Sequence, residues 1–221
     1  MAAAESRRSP RSPGISWQAL LDTDTRPVPE ILRLESPVRL GDHDLSIDRY
    51  VDPAYHAREV EKLWSRVWQF ACREEHIPEV GDHVVYDIAN LSFVVVRVAP
   101  TQIKAFVNAC LHRGRRLKDH DGRCSELRCP YHGFTWQLDG RFKRAPAADW
   151  DFPQLEREKF SLPEARVGTW AGFVMINPDP NAEPLEKFLG EAIPHYARWD
   201  LGNRYVEVHV AKIIEANWKI A

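Results

Sequence analysis

Short runs of apolar residues through the middle of the chain predict β-strands. Three of these runs are rich in β-branched and aromatic residues and are separated by turn-forming residues; they are His83–Ile88, Leu91–Val98 and Ile103–Cys110. Asp139-Gly140 separates two further apolar segments and is a strong hairpin signal. The run from Thr169 to Pro178 predicts one more strand. Residues from about 80 to 178 are therefore expected to form a small antiparallel β-domain.

A helical pattern precedes these strands. Asp52 is a suitable N-cap, and Pro53 occupies the first helical position, where a missing N–H has no consequence. Apolar residues then recur at spacings of three and four as far as Ala71, which gives one apolar face. We therefore predict a helix over residues 53–71 whose tryptophans pack against a core.

Beyond residue 180 the pattern changes again. Residues 184–194 have a helical periodicity that ends at Pro194. Residues 204–214 alternate Val206, Val208 and Val210 with polar neighbours, which predicts a half-buried strand. The chain then ends in an apolar, patterned stretch with no polar tail, so we expect residues 181–221 to be the start of a further domain that is cut short.

Composition and charge narrow the function classes. The formal net charge is −2, so no basic surplus favours binding to nucleic acid or to anionic lipid. No apolar run approaches the ~20 residues of a membrane helix. Arg7-Arg8 are followed by Pro10 and Pro13 where an export signal has an apolar stretch. We expect the first 16 residues to be a disordered tail and the protein to be cytoplasmic.

Two cysteine–histidine pairs carry the candidate chemistry. Cys110-x-His112 and Cys129-x-x-His132 lie in predicted loops, with sixteen residues between the pairs. Two cysteines and two histidines suit a structural zinc ion, although the one-residue gap in the first pair fits a zinc site less well. They also suit a Rieske [2Fe–2S] cluster, in which two cysteines hold one iron and two histidines hold the other. From ligand type and spacing alone both alternatives stay open.

Glycines accompany both pairs, and the flanking residues resemble a known family. Gly114 and Gly133 follow the histidines, and a missing side chain lets backbone N–H groups approach cluster sulfides. N-A-C-L-H-R-G at 108–114 and C-P-Y-H-G-F-T-W-Q-L-D-G at 129–140 are similar to the Rieske signature of ring-hydroxylating oxygenase α subunits. The segment N-W-K at 217–219 resembles the family's entry into its catalytic iron domain.

The resemblance covers about residues 45–221 and implies a mainly β fold with some helix. A Rieske antiparallel β-sandwich domain would be accompanied by an N-terminal arm and helix and by the truncated start of an α+β catalytic domain. The corresponding division of the chain is a tail, an arm, a Rieske domain with the leading helix 53–71, and a partial catalytic domain, over residues 1–16, 17–47, 48–180 and 181–221.

The resemblance also implies cofactors and partners. Cys110 and Cys129 would ligate the buried iron of the cluster, and His112 and His132 the outer iron. A ferredoxin or flavin reductase that uses NAD(P)H would supply electrons. In the full enzyme they would reach a mononuclear Fe(II), held by two histidines and a carboxylate in an adjacent subunit of a homotrimer, with or without β subunits. O₂ activated there would oxidise an aromatic or related small molecule.

Two other functions are alternatives to the oxygenase. In the family the ligands of the second iron follow the N-W-K segment, so this chain is expected to transfer electrons without a catalytic site of its own. A stand-alone Rieske ferredoxin would be an electron carrier, but the helix over 53–71 and the extension over 181–221 argue against it. A zinc-bound interaction module is the third alternative.

Other polar and thiol residues near the motif have ordinary explanations. Cys124, between the two pairs, is expected to be a thiol outside the site, and Cys72 to pack in a core. A run of charges is more often solvated surface than a partner-binding patch. The residues given this surface or non-ligand interpretation are Arg113, Arg115, Arg116, His120, His195 and His209.

Overall fold

The chain divides into two compact units, Met1–Leu45 and Ser46–Ala221, and each is described by itself. The computed structural model describes residues 16–34, 45–146 and 154–221. Apart from Ser16, the predicted tail therefore lies outside the described residues.

In the first unit the predicted arm contains a short helix, α1 (Trp17–Leu21), and a 3₁₀ turn, Glu30–Arg33. The Ser16 hydroxyl accepts a hydrogen bond from the Ala19 N–H, which caps α1. The Trp17 indole N–H donates to the Leu32 carbonyl at 2.9 Å, so the helix and the turn are joined through their side chains.

The second unit begins with a helical segment that is shorter than the sequence pattern predicts. Asp52 Oδ1 accepts a hydrogen bond from the Ala54 N–H at 2.8 Å, which confirms the predicted N-cap. The prediction of a helix through Ala71 is wrong, because strand β1 begins at Gln69 and pairs with another strand. Hydrogen bonding in the sheet overrides the local helical periodicity there. The helical segment consists of α2 (Asp48–Val51), α3 (Pro53–Glu59) and a π-helical turn, Val60–Trp64.

Ten strands form two antiparallel sheets in the described part of the second unit. The seven-stranded sheet has the order β1-β10-β9-β4-β3-β2-β5, and the three-stranded sheet has the order β6-β7-β8. The strands are β1 (Gln69–Arg73), β2 (Asp82–Ile88), β3 (Leu91–Ala99), β4 (Gln102–Val107), β5 (Gly122–Arg123), β6 (Leu127–Arg128), β7 (Thr135–Trp136), β8 (Phe142–Arg144), β9 (Glu164–Trp170) and β10 (Phe173–Asn177).

The strand predictions hold for the centre of the domain. β2, β3 and β4 confirm the three apolar runs, although β4 ends at Val107 and not at Cys110. The predicted hairpin at Asp139-Gly140 is confirmed as β7 and β8. The mainly β fold that the sequence predicts is therefore observed.

The apolar run from Thr169 to Pro178 forms the end of one strand and the whole of another, and not the single strand predicted. β9 ends at Trp170 and β10 begins at Phe173, with Ala171 and Gly172 between them at φ values of 49° and 80°. Two successive positive φ values suit the right-handed twist of a two-residue hairpin. Alanine rarely adopts positive φ, so the sequence carries no strong turn signal at this point.

Strand β3 is buried on both of its faces, which explains its continuous apolar run. Val94 and Val96 belong to a first hydrophobic cluster, and Phe93 and Val95 belong to a second. The first cluster lies between β3–β4 and the small sheet; its buried members include Phe106, Cys110, Leu127, Cys129, Phe134, Trp136 and Phe142. The second cluster lies under β1 and β10; its members include Cys72, Ile77, Val174 and Ile176.

Two short helices follow the sheet, and the segment after them is exposed. Pro194 does not end the helical pattern; it occupies the first turn of α5, where its missing N–H requires no partner. The prediction of a half-buried strand over 204–214 is wrong: Val206, Val208 and Val210 are 40%, 71% and 79% exposed, and no described strand pairs with them. The helices are α4 (Leu185–Leu189) and α5 (Ala192–Tyr196), and 3₁₀ turns occur at Glu74–His76, Arg157–Lys159, Ala197–Trp199 and Leu201–Asn203. None of the helices among the described residues has the length and apolar character needed to cross a bilayer.

Substituting Gly140 should destabilise the first cluster. Gly140 has φ +86° in the β7–β8 turn, and a Cβ there would overlap the Phe106 ring. We expect Gly140→Ala to reduce the free energy of unfolding by about 2 to 4 kcal/mol, from the strained backbone and from overpacking. Gly122→Ala is the matched control, because the nearest atom to its added Cβ lies 3.8 Å away. Urea unfolding followed by tryptophan fluorescence measures both; equal midpoints for the two variants would contradict the prediction.

Candidate metal centre

The two cysteine–histidine loops have the same backbone arrangement. The first follows β4, and the second joins β6 to β7. In the first, the Cys110 N–H donates to the Arg115 carbonyl at 2.8 Å, and the Gly114 N–H donates to the Cys110 carbonyl at 2.8 Å. In the second, the equivalent bonds run from the Cys129 N–H to Phe134 at 2.8 Å and from Gly133 to the Cys129 carbonyl at 3.1 Å. Each loop is therefore a tight turn closed around its cysteine.

A glycine in the left-handed conformation makes each turn possible. Gly114 has φ +72° and Gly133 has φ +75°, values that side chains other than glycine's rarely adopt. A Cβ on Gly114 would meet no atom within 4 Å, whereas a Cβ on Gly133 would lie 3.2 Å from Pro146 Cγ. Backbone conformation alone thus requires glycine in the first loop, and crowding adds to the requirement in the second.

Asn108 fixes the first loop from beneath, a role that the sequence pattern did not reveal. Its side chain is almost fully buried, at 2% exposed. Its amide nitrogen donates to Ser92 Oγ at 3.0 Å and to the Lys118 carbonyl at 2.7 Å, while its oxygen accepts from the Leu117 and Lys118 N–H groups. Four hydrogen bonds from one buried amide join the start of the loop, its return and strand β3. The only sequence signal is a polar residue directly after an apolar strand.

The two thiols lie together inside the first hydrophobic cluster. Cys110 is 3% exposed and Cys129 is 2% exposed. Burial, and to a lesser extent contact with the Cys129 thiol, raises the pKa of Cys110 above that of an ordinary thiol; the His112 and Arg113 backbone N–H groups, which point at its sulfur, act in the opposite direction. A cation that binds both sulfurs would displace these protons and take their place in the core.

The two imidazoles lie together at the partly exposed edge of the same site. The His112 and His132 rings are edge-to-face with centroids 4.9 Å apart. Phe134 stacks on His112 at 4.7 Å, and the exposed Tyr131 stacks on His132 at 3.7 Å. Burial, followed by the nearby His132 and Arg113, lowers the pKa of His112, which favours the neutral imidazole that metals bind.

The structure thus brings the four predicted ligands into one site as a thiol pair and an imidazole pair. A two-iron cluster with two cysteines on one iron and two histidines on the other needs this division. Among residues 16–34, 45–146 and 154–221, no three histidine, cysteine or carboxylate groups converge as ligands of a single ion. The donor set, its burial and its pairing therefore fit a [2Fe–2S] cluster.

The remaining cysteines lie outside this site. Cys72 belongs to the second hydrophobic cluster, and burial raises its pKa to about 12, so it packs as predicted. Cys124 packs against the first hydrophobic cluster, but its sulfur lies 3.7 Å from Nδ1 of the buried His83 on β2. Of the predicted non-ligands, His120, His195 and His209 are all exposed.

The arginines after the first histidine differ in their surroundings. Arg115 pairs with Asp119, and Arg116 pairs with Asp87 and donates to Ser92 Oγ at 2.7 Å. The Arg116 pair therefore ties the first loop to the β2–β3 hairpin, a structural role that a surface interpretation misses. Arg113 is exposed beside His112.

The structure also contains a separate groove of about 1050 Å³. It is lined by residues of β1, β2 and β5 and by the exposed segment that follows α5, and it contains none of the four candidate ligands. The groove is therefore not part of the site formed by the two loops.

Comparison with known proteins gives consistent matches. The Rieske [2Fe-2S] domain model matches residues 67–156. The α subunit of biphenyl 2,3-dioxygenase from Rhodococcus jostii is 32% identical over 177 residues, which are 78% of this chain and 38% of that protein. The chain therefore spans less than half the length of this relative.

Solved structures agree. A quaternary ammonium Rieske monooxygenase in complex with an inhibitor superposes with a TM-score of 0.73 and 25% identity, over 78% of this chain and 49% of that one. Naphthalene 1,2-dioxygenase from Rhodococcus sp. gives a TM-score of 0.59 with 34% identity, over 63% of this chain and 32% of that one. Residues 67–156 are a Rieske [2Fe–2S] domain, and the chain that carries them is homologous to the α subunits of aromatic ring-hydroxylating dioxygenases.

Proposed function

We propose that Cys110 and Cys129 hold one iron of a [2Fe–2S] cluster and that His112 and His132 hold the other. The observation that carries this proposal is the pairing of two buried thiols and two partly exposed imidazoles by two loops of the same backbone form. When bound, such a cluster accepts and releases one electron at a time.

The residues around the ligands have distinct tasks in this proposal. The apolar cluster keeps water from the thiolates, and the His112 and Arg113 N–H groups stabilise negative charge on Cys110. Phe134 holds the His112 ring in one orientation by stacking on it. The histidine edge is the exposed one, so a redox partner would approach His112 and His132, and not the cysteines.

For the whole protein we infer the electron-carrying part of a Rieske oxygenase α subunit. A ferredoxin or flavin reductase using NAD(P)H would supply electrons, and a mononuclear Fe(II) site outside residues 1–221 would use them with O₂. A cytoplasmic homotrimer, with or without β subunits, is the assembly we propose. The names of the similar proteins, biphenyl and naphthalene dioxygenases and a quaternary ammonium monooxygenase, differ in substrate, so we propose only an aromatic or related small molecule.

A stand-alone electron carrier is the less favoured alternative. The Rieske domain model ends at residue 156, yet the chain continues in β9, β10, α4 and α5. The similarity to the quaternary ammonium monooxygenase covers 78% of this chain, well beyond the Rieske domain. Similarity over these extra segments favours the oxygenase.

The cluster can be tested on the purified chain. We expect about two irons and two acid-labile sulfides per chain. Visible absorption bands should be present, and dithionite should produce an EPR signal from the one-electron-reduced cluster. A colourless, EPR-silent sample that contains zinc would overturn the proposed function.

Ligand substitutions should separate the four predicted residues from their neighbour. Cys110→Ser and His132→Ala should abolish the EPR signal and loosen both loops, because metal binding contributes folding free energy. Cys124→Ser is the matched control, since Cys124 lies between the two pairs in sequence but beside His83 in the structure. Loss of the visible spectrum in Cys124→Ser would show that the wrong thiol has been assigned.

The two loop glycines should respond differently to substitution. Gly114→Ala should destabilise the chain by about 1 kcal/mol through its backbone alone, and Gly114→Asn by less, because asparagine tolerates positive φ. Gly133→Ala should cost more and reduce cluster occupancy, because its Cβ crowds Pro146. Iron content and thermal unfolding of the three variants check this order; equal losses at both positions would contradict it.

A further inference from the structure

Three consecutive side chains near the end of the chain contact the helical segment that precedes β1. The Asn217 side-chain amide donates to the Tyr50 carbonyl at 3.0 Å. The Trp218 ring packs edge-on against Trp64, with ring centroids 4.8 Å apart. These contacts join residues that are more than 150 positions apart in sequence, so local folding of either segment does not explain them.

The ammonium group of the third side chain, Lys219, contacts one carboxylate and three aromatic rings. Its ammonium lies 2.6 Å from Glu59 Oε1. It also lies 5.6, 5.3 and 5.1 Å from the ring centroids of Tyr50, Tyr55 and Trp218. Each ring within about 6 Å attracts a cation through its quadrupole. The site therefore combines one ion pair with three cation–π contacts on a single ammonium group.

Glu59 is the residue that these contacts share. Its second carboxylate oxygen accepts from the Trp218 indole N–H at 3.3 Å and lies 3.5 Å from His56 Nδ1. The Glu59 and Lys219 side chains are only 10% and 21% exposed, so this pair is shielded more than an ordinary surface salt bridge. The hydrogen bond from Lys219 lowers the pKa of Glu59 and keeps the carboxylate ionised.

The chain immediately before this contact is not packed. Val208, Val210 and Ile213 are 71%, 79% and 93% exposed. The contact at residues 217–219 is thus separate from the main cores and is not the edge of a continuous packed surface.

We propose that the surface formed by α2, α3 and the turn Val60–Trp64 is a docking surface for the segment Asn217–Lys219, with Glu59 as its central anchor. This surface binds a primary ammonium group that lies next to an indole. The Glu59 carboxylate pairs with the ammonium group, and Trp64 packs against the indole. The rings of Tyr50 and Tyr55 add cation–π contacts. This surface lies before residue 67, outside the matched Rieske domain. The inference does not depend on the proposed function, because none of the cluster ligands takes part.

The reactivity of the Lys219 amine tests this proposal directly. The full 221-residue chain would be treated with an amine-acylating reagent, and the labelling rates of Lys219 and of the exposed Lys212 compared by mass spectrometry. Lys212 is an internal reference, because it is exposed and lies seven residues before Lys219. We expect Glu59→Gln to raise the ratio of the Lys219 rate to the Lys212 rate by about tenfold or more, because a charge-assisted hydrogen bond is lost.

Glu61→Gln is the matched control. Glu61 is exposed and lies two residues further along the same helical segment. Its substitution removes the same charge from the chain as Glu59→Gln does. The ratio should stay at the parent value in this variant. An unchanged ratio in Glu59→Gln, or an equal increase in both variants, would overturn the proposal.

A further experiment tests whether the docking surface is independent of the cluster. Removing iron with a chelator should leave the labelling ratio unchanged, and Glu59→Gln should leave the EPR signal of the reduced protein unchanged. A rise in the ratio on chelation would contradict a docking surface that is independent of the cluster. An EPR-silent parent chain would overturn the proposed function without affecting the labelling result.

Discussion

The burial of two thiols in one apolar cluster is the constraint on which this domain depends. Cys110 and Cys129 come from loops nineteen positions apart, yet both lie among Phe106, Phe134 and Trp136. Burial raises the pKa of Cys110 and so favours its protonated, neutral form unless a cation replaces the proton. The packing of the core and the chemistry of the site therefore depend on each other, since the same aromatic residues that stabilise the fold also exclude water from the sulfurs.

The sheet supplies the rigidity that this arrangement needs. Strand β3 is buried on both faces, and it carries Ser92, which accepts hydrogen bonds from Asn108 and from Arg116. The first loop is thereby fixed at its start and at its return to the same strand. The second loop is held by the short sheet β6-β7-β8, where the Trp136 indole N–H donates to the Phe160 carbonyl at 2.8 Å. Each loop therefore has its own support from a different sheet.

Sequence patterns predicted the centre of the domain well because the relevant signals there are local. The apolar runs of β2 to β4 and the Asp139-Gly140 turn each depend on neighbours within a few residues. The predictions are wrong where a residue distant in sequence determines the local structure. Gln69 and Phe70 continue a helical periodicity but pair with β10, and Ala171-Gly172 make a turn despite an alanine at positive φ. The sequence pattern does not single out Asn108, because its four hydrogen bonds reach two distant segments, strand β3 at Ser92 and the loop at Leu117 and Lys118.

The exposed segment between Val206 and Ala216 shows why a strand pattern is not sufficient for a strand. Its alternation is regular, but a β-strand requires hydrogen bonds from a neighbour, and the described residues provide none. What fixes the segment are polar contacts at its two ends. Before it, Arg73 donates to the carbonyls of Leu201 and Arg204, at 3.1 and 2.6 Å; after it, Glu59 holds Lys219. Charged side chains that satisfy specific carbonyl and ammonium partners define position more narrowly than apolar contacts do, because an unpaired buried charge is costly. The last part of the chain is thus placed by Arg73 and Glu59, on either side of the start of the Rieske domain, together with the Trp64–Trp218 contact. The exposed side chains of Val208, Val210 and Ile213 contribute little to its position.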